Sequence, residues 1–198
     1  MPAENRNILR AALILFLFGA LVGNAFNSFH AFSGTIPVTA THINPLLDWS
    51  SYLLFGFAGL SIGMLNILID YLFSNTPTMV SWTKALSGIG LLGIFYFTSA
   101  CIFLSNNIIL LILVFGFLLV FILYAPSGQA LLAAVLVAIA GTSAEIYFVH
   151  TGMYYYSRPQ FMGVTCWLPF LYGIASVTTG QFARLLASSG NSSPVKKP

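Results

Sequence analysis

Six stretches of mostly apolar residues follow one another along this chain, each about the 20 residues a helix needs to cross a bilayer core. They lie at 8–29, 50–73, 80–104, 107–124, 129–150 and 165–187, and turn-forming residues separate them. Gly34, Pro37 and Pro45 fall in the first gap, Asn75-Thr76-Pro77 in the second and Ser105-Asn106-Asn107 in the third. Pro126-Ser127-Gly128 and Ser157-Arg158-Pro159 mark the last two. The runs are continuous rather than alternating, which argues against a β-barrel. A soluble fold fails on charge: 6% of residues are Asp, Glu, Lys or Arg, against about 25% in an ordinary soluble domain. Such a surface would expose large apolar patches in water. The same composition excludes a disordered chain, a coiled coil and a nucleic-acid binder. The expected architecture is all-α and polytopic, six transmembrane helices packed around a lipid-accessible cavity. It forms a single domain over 1–187, with a flexible cytosolic tail over 188–198.

Charge placement orients the spans. Cytosolic loops are enriched in Lys and Arg. With both termini inside, Arg6, Arg10, Lys84, Arg184, Lys196 and Lys197 fall on the inner side, and only Arg158 falls outside. The first apolar run is too long for a signal peptide and reads as a permanent helix.

Several motifs dissolve on inspection. Gly88-Ile89-Gly90-Leu91-Leu92-Gly93 matches a dinucleotide fingerprint, but it lies inside an apolar span without the strand that such a site needs. It reads as helix packing, as do Gly19-xxx-Gly23 and Gly59-xxx-Gly63, since glycines let helices approach closely in lipid. Cys101 and Cys166 read as apolar thiols, with a disulfide as the alternative. His30, His42 and His150 show no metal-ligand spacing. No metal, cofactor, serine elbow or P-loop is expected.

Polar residues inside the spans are more telling, because each must find a partner or water. Asn24, Asn27 and Asn66 read as interhelical hydrogen bonders or ligand contacts, and Asp70 as a hydrated group at the inner interface. Glu145 stands out. An ionised carboxylate at the bilayer centre costs on the order of 3 kcal/mol. Ala130, Ala134, Ala138, Gly141, Thr142 and Glu145 share one helical face, so the acid lies on a small-residue stripe. It either fixes packing or contacts a ligand.

The last third carries the densest pattern, with Gly152, Tyr154, Tyr156, Pro159 and Phe161 followed by Trp167-Leu168-Pro169 and then Thr178, Gly180 and Arg184. With Gly19, Asn27, Gly63, Ile69-Asp70, Trp82 and Asn106-Asn107-Ile108 upstream, this ordered set resembles the Insig (insulin-induced gene) family over about residues 16–187. The resemblance implies a non-catalytic six-span protein that binds a membrane lipid, sterol or diacylglycerol-like, and acts as a lipid-responsive regulator or scaffold. Its partners would be that lipid, another multi-pass membrane protein, and further copies of itself. The membrane is the cell membrane in a microbe and the endoplasmic reticulum in a eukaryote; a microbial homologue is the reading preferred. Glu145 stands where the family has a neutral residue, and Gln160 where animal members carry an acid.

The expected cavity is lined by spans one, two, five and six. Lipid-contact candidates are Asn24, Asn27, Gly63, Asn66, Thr142, Glu145, Tyr154 and Trp167. Partner-contact candidates are Tyr156, Arg158 and Gln160. Two alternatives use Glu145 differently. One is a membrane polyprenoid-modifying enzyme, similar to carotenoid hydratases, with Glu145 as general acid. The other is a small transporter with Glu145 as a proton or cation site.

Overall fold

The structure is a computed structural model that describes residues 3–37, 48–73 and 80–188, with the backbone alone for 3–6. The tail expected beyond 188, with Lys196 and Lys197, lies outside the described residues. So do His42, the Asn75-Thr76-Pro77 break and most of the first gap.

The helices run α1 (Ala3–Phe18), a π-helical turn Gly19–Gly23, α2 (Asn24–Ser33), α3 (Trp49–Leu72), α4 (Trp82–Ser99), α5 (Asn106–Tyr124), α6 (Gly128–His150) and α7 (Leu168–Ser188). α1, the π turn and α2 are one continuous pass, so the described chain makes six passes, as the apolar runs predict. Side-chain caps set four of the helix starts. Asp48 accepts from Ser50 N–H, Ser81 from Lys84, Ser105 from Ile108 and Ser127 from Ala130. The first pass runs four residues beyond its expected end and stops at Gly34, which is left-handed at φ 78°. The third ends at Ser99, five residues short of 104, where a turn intervenes before the Ser105 cap.

Four passes are long and apolar enough to cross a membrane, namely Asn7–Ser33, Trp49–Leu72, Asn106–Tyr124 and Gly128–His150. Their outer faces are apolar and bare: Leu9, Leu13, Leu17 and Leu21 repeat every four residues along the first pass and are all exposed. α7 is different. It packs against α1, α3, α4, α5 and α6, and every residue from Gly173 to Leu185 is buried. Sheltered from lipid by its neighbours, it can carry Ser176, Thr178, Thr179, Gln181 and Arg184 buried inside the bundle.

The first pass meets α3 backbone to backbone. A Cβ on Gly19 would lie 2.1 Å from the Phe55 carbonyl oxygen, and one on Gly59 would lie 2.7 Å from Gly19 Cα. The π turn begins at this contact. Gly63 leaves room one turn further along α3 for the Leu15 side chain.

The two charges read as inner-surface groups, Asp70 and Arg184, are instead buried together. Their side chains are 9% and 7% exposed, with Nε and Oδ2 2.6 Å apart. They lie 114 positions apart in sequence and in contact in space, and each neutralises the other.

Candidate functional site

The polar centre at the opposite end of the bundle is built around Glu145. α6 presents this residue five positions before its end at His150, about 7.5 Å below that end at 1.5 Å per residue. One turn earlier, Gly141 has no side chain, and the Tyr172 ring of α7 fills that space; a Cβ there would lie 2.5 Å from it. The Tyr172 hydroxyl thereby donates to Glu145 Oε1 at 2.9 Å.

Two more hydroxyls arrive from the chain beyond α6. Gly152, left-handed at φ 75°, reverses the chain, and the Gly152 and Met153 N–H groups cap the helix by donating to the Val149 and Phe148 carbonyls. The following segment is extended, so alternate side chains share a side. Tyr155 points out and is 49% exposed, while Tyr154 and Tyr156 turn in. Both donate to Glu145 Oε2, Tyr156 at 3.0 Å. The Gly-x-Tyr-x-Tyr pattern is thus a reversal followed by two inward hydroxyls.

Residues 157–160 fasten this segment over the bundle end. Ser157 N–H and Oγ donate to the Thr35 carbonyl, Arg158 NH1 donates to the Leu104 carbonyl at 2.9 Å, and Asn106 Nδ2 donates to the Arg158 carbonyl at 2.8 Å. Behind it, rings continue across the core from Tyr156 to Trp167 to His30 to Tyr96. His30 Nε2 lies 2.8 Å from Ser99 Oγ, which ties α2 to α4.

Beside this centre a cavity of about 350 Å³ opens between α2, α3 and α6. Asn27 and Ala31 form one wall, Leu54 and Phe55 a second, and Glu145, Phe148 and Tyr154 a third. Asp48, Ser50 and Ser51, at the start of α3, stand at its mouth. The expected spans one, two and five line it. Span six does not line it and contributes Tyr172 from behind Glu145.

The candidates divide among several places. Asn27, Glu145 and Tyr154 meet at the cavity. Asn24 is buried in the first pass, and Gly63 holds Leu15. Asn66 belongs to the Arg184–Asp70 pair at the other end, where it accepts from Arg184 NH2 and donates to the Ser176 carbonyl. Thr142 faces a shallow groove with Ile139, Phe161 and Met162. Trp167 is fully buried in the core. Tyr156, taken as a partner contact, is 3% exposed and turned onto Glu145. Arg158 spends its guanidinium on the Leu104 carbonyl, and Gln160 Oε1 accepts from the Cys166 thiol. Among the residues at the site that were not candidates from sequence are Tyr172, Phe55, Phe148 and Asp48. Only Tyr172 had a signal, the gap at Gly141 one turn before the acid.

The six passes and their lipid-facing surfaces define a polytopic helical membrane protein. Among solved structures the chain is similar to MvINS, a mycobacterial Insig homologue from Mycobacterium vanbaalenii. The TM-score is 0.79 at 22% identity, over 93% of this chain and 96% of that one. A cross-linked MvINS trimer matches equally well. No protein-family model matches the chain, and neither does any curated protein. The chain therefore has the fold of an Insig homologue, as the collinear residues led us to expect.

Proposed function

We propose that this chain is a non-catalytic, Insig-type membrane protein that holds one amphipathic lipid and uses its occupancy to regulate or scaffold other membrane proteins. One observation carries this reading: an apolar cavity between helices with a single carboxyl, Glu145, at its floor. Pockets for small ligands run to about 300–1,000 Å³, mostly apolar with a few polar groups that fix orientation. The cavity meets that description. The lipid's head sits toward Glu145 and its apolar body lies along Phe55, Leu54 and Phe148. A sterol or a diacylglycerol-like lipid, the classes the family resemblance implies, has an apolar body of the kind these walls would hold. Exposed Arg10 and Lys84 share the bundle end where the first pass begins, and we assign that end to the cytosol. Self-association, as in the trimer of MvINS, is part of the proposal.

Mass spectrometry of lipid retained after gentle purification tests it. We expect stoichiometric lipid on the native chain and little on Ala31→Phe, which fills the cavity from α2. A chain that purifies empty, or an Ala31→Phe variant with unchanged lipid, overturns the reading. Turnover of a polyene, abolished in Glu145→Gln, would move the site to hydratase chemistry.

A further inference from the structure

We infer that the head group this cavity selects is a protonated amine rather than a neutral hydroxyl or an anion, so that the ligand is an organic ammonium with an apolar body. The inference rests on the reading above that the cavity holds an amphipathic lipid, and replaces the hydroxyl head that the family resemblance implies.

Three features of the lining point the same way. First, among the described residues that line it the acids and bases are two carboxyls at two depths, Asp48 at the mouth and Glu145 at the floor, and none is a Lys, Arg or His. Asp48 is partly engaged as the α3 cap, since its Oδ1 accepts from the N–H and hydroxyl of Ser50. Glu145 has no cationic partner among the described residues. The ion pair between Arg184 and Asp70 lies at the far end of α7, twelve residues or about 18 Å of helix from Tyr172.

Second, the hydrogen-bond inventory at the floor is one-sided. Tyr154, Tyr156 and Tyr172 all donate to Glu145, two to Oε2 and one to Oε1. A carboxylate has about four acceptor positions, so one remains, on the oxygen that Tyr172 alone occupies. Tyr154, its hydroxyl proton spent on Glu145, also lines the cavity. The floor therefore asks for a donor. A phosphate or carboxylate head offers acceptors and negative charge and is repelled. A hydroxyl offers one proton; an ammonium offers three and the charge that Glu145 lacks.

Third, aromatic rings stand around the same space. Phe55 comes from α3, Phe148 from α6 one turn beyond the acid, and Tyr154 from the reversed segment. Ring faces attract organic cations, most strongly where water is excluded. A hydroxyl gains little from them.

Octadecylamine, octadecanol and octadecanoic acid share one chain and differ only in the head. Each is offered to the full-length protein in nanodiscs, and bound ligand is counted by native mass spectrometry. We expect octadecylamine to be favoured over octadecanol by about tenfold or more, with the acid weakest. Glu145→Gln, which keeps the side-chain volume, should bring the amine-to-alcohol ratio close to one. Asp48→Asn keeps the α3 cap, because Asn caps as well as Asp, and should lower the ratio in a chain of unchanged stability. Equal retention of amine and alcohol overturns the inference and leaves the lipid reading standing. An amine preference unchanged in both variants also overturns it, because the preference would not arise from these carboxyls. Retention of none of the three overturns both. Phenethylamine binding as tightly as octadecylamine would overturn a lipid as the source of the ammonium.

Discussion

Arg184 grips Asp70 with two prongs. Nε donates to Oδ2 at 2.6 Å and NH2 to Oδ1 at 3.0 Å, and NH2 also reaches Asn66 Oδ1 at 3.3 Å. The pair joins the end of α3 to the last turns of α7, the helix that every other pass leans on. It therefore fixes the rotation of α7, which in turn aims Tyr172 at Glu145 from the other end.

Removing one partner should be costly and removing both should not. Asp70→Ala leaves a buried guanidinium uncompensated, and breaking such a pair costs about 3–5 kcal/mol. Thermal unfolding in detergent should show a large loss of Tm for Asp70→Ala, and a much smaller one for Asp70→Leu combined with Arg184→Leu. Arg184→Lys should not rescue, because a single ammonium cannot reproduce the fork. A double variant as unstable as the single would mean that the pair is not the source of the loss.

Gly180 is the packing condition for this network. A Cβ there would lie 2.4 Å from Asn66 Oδ1. Gly180→Ala must push Asn66 out of the hydrogen bonds it makes with Arg184 and Ser176, a destabilisation of about 1–3 kcal/mol by overpacking. Asn66→Ala removes the obstructing amide, so the double variant should be far less unstable than the sum of the two losses. Additive losses in urea or thermal titrations would place the strain elsewhere.

These pairings show where the sequence was readable and where it was not. Six passes could be read from apolar run length and from the turn residues between the runs. That α7 is interior could also have been read: Thr178, Thr179, Gln181 and Arg184 in one span do not belong against lipid. Asp70 and Arg184 were each visible as polar residues near span ends, but their meeting depends on the register of α3 against α7, and no local pattern encodes it. Glu145 was legible for the same reason it is costly. Tyr156, a partner-contact candidate within the family-like stretch, is instead buried and turned onto Glu145. Only the reversal at Gly152, with Tyr155 outward between its neighbours, shows which tyrosines turn in.

The Tyr172 hydroxyl can be withdrawn from Glu145 in two ways, and they should agree. Tyr172→Phe deletes the donor, and a typical intramolecular hydrogen bond contributes about 0.5–1.5 kcal/mol. Gly141→Ala keeps the hydroxyl but drives a Cβ to within 2.5 Å of the ring, so the ring must move. Both should lower retained lipid measured by mass spectrometry, with Gly141→Ala losing more stability because it also separates α6 from α7. Full lipid retention in Tyr172→Phe would detach this donor from the binding site.

The last prediction separates two glycines that look alike in sequence. Gly19 and Gly23 are both spaced for helix packing, but only Gly19 is in backbone contact. Its Cβ would lie 2.1 Å from the Phe55 carbonyl oxygen, a backbone atom that cannot rotate away, whereas a Cβ on Gly23 would meet only the Phe55 ring and Cβ at 3.6–3.7 Å. Gly23 has ordinary helical dihedrals, φ −62° and ψ −45°. Gly23→Ala should therefore be neutral, or stabilising by up to about 1 kcal/mol through helix propensity. Gly19→Ala must part the first pass from α3. Since Phe55 is also a wall of the cavity, that separation should lower both Tm and retained lipid. Thermal unfolding and lipid mass spectrometry on the two single variants test this directly. Equal behaviour of Gly19→Ala and Gly23→Ala in both measurements would show that the first pass and α3 are not held by this backbone contact.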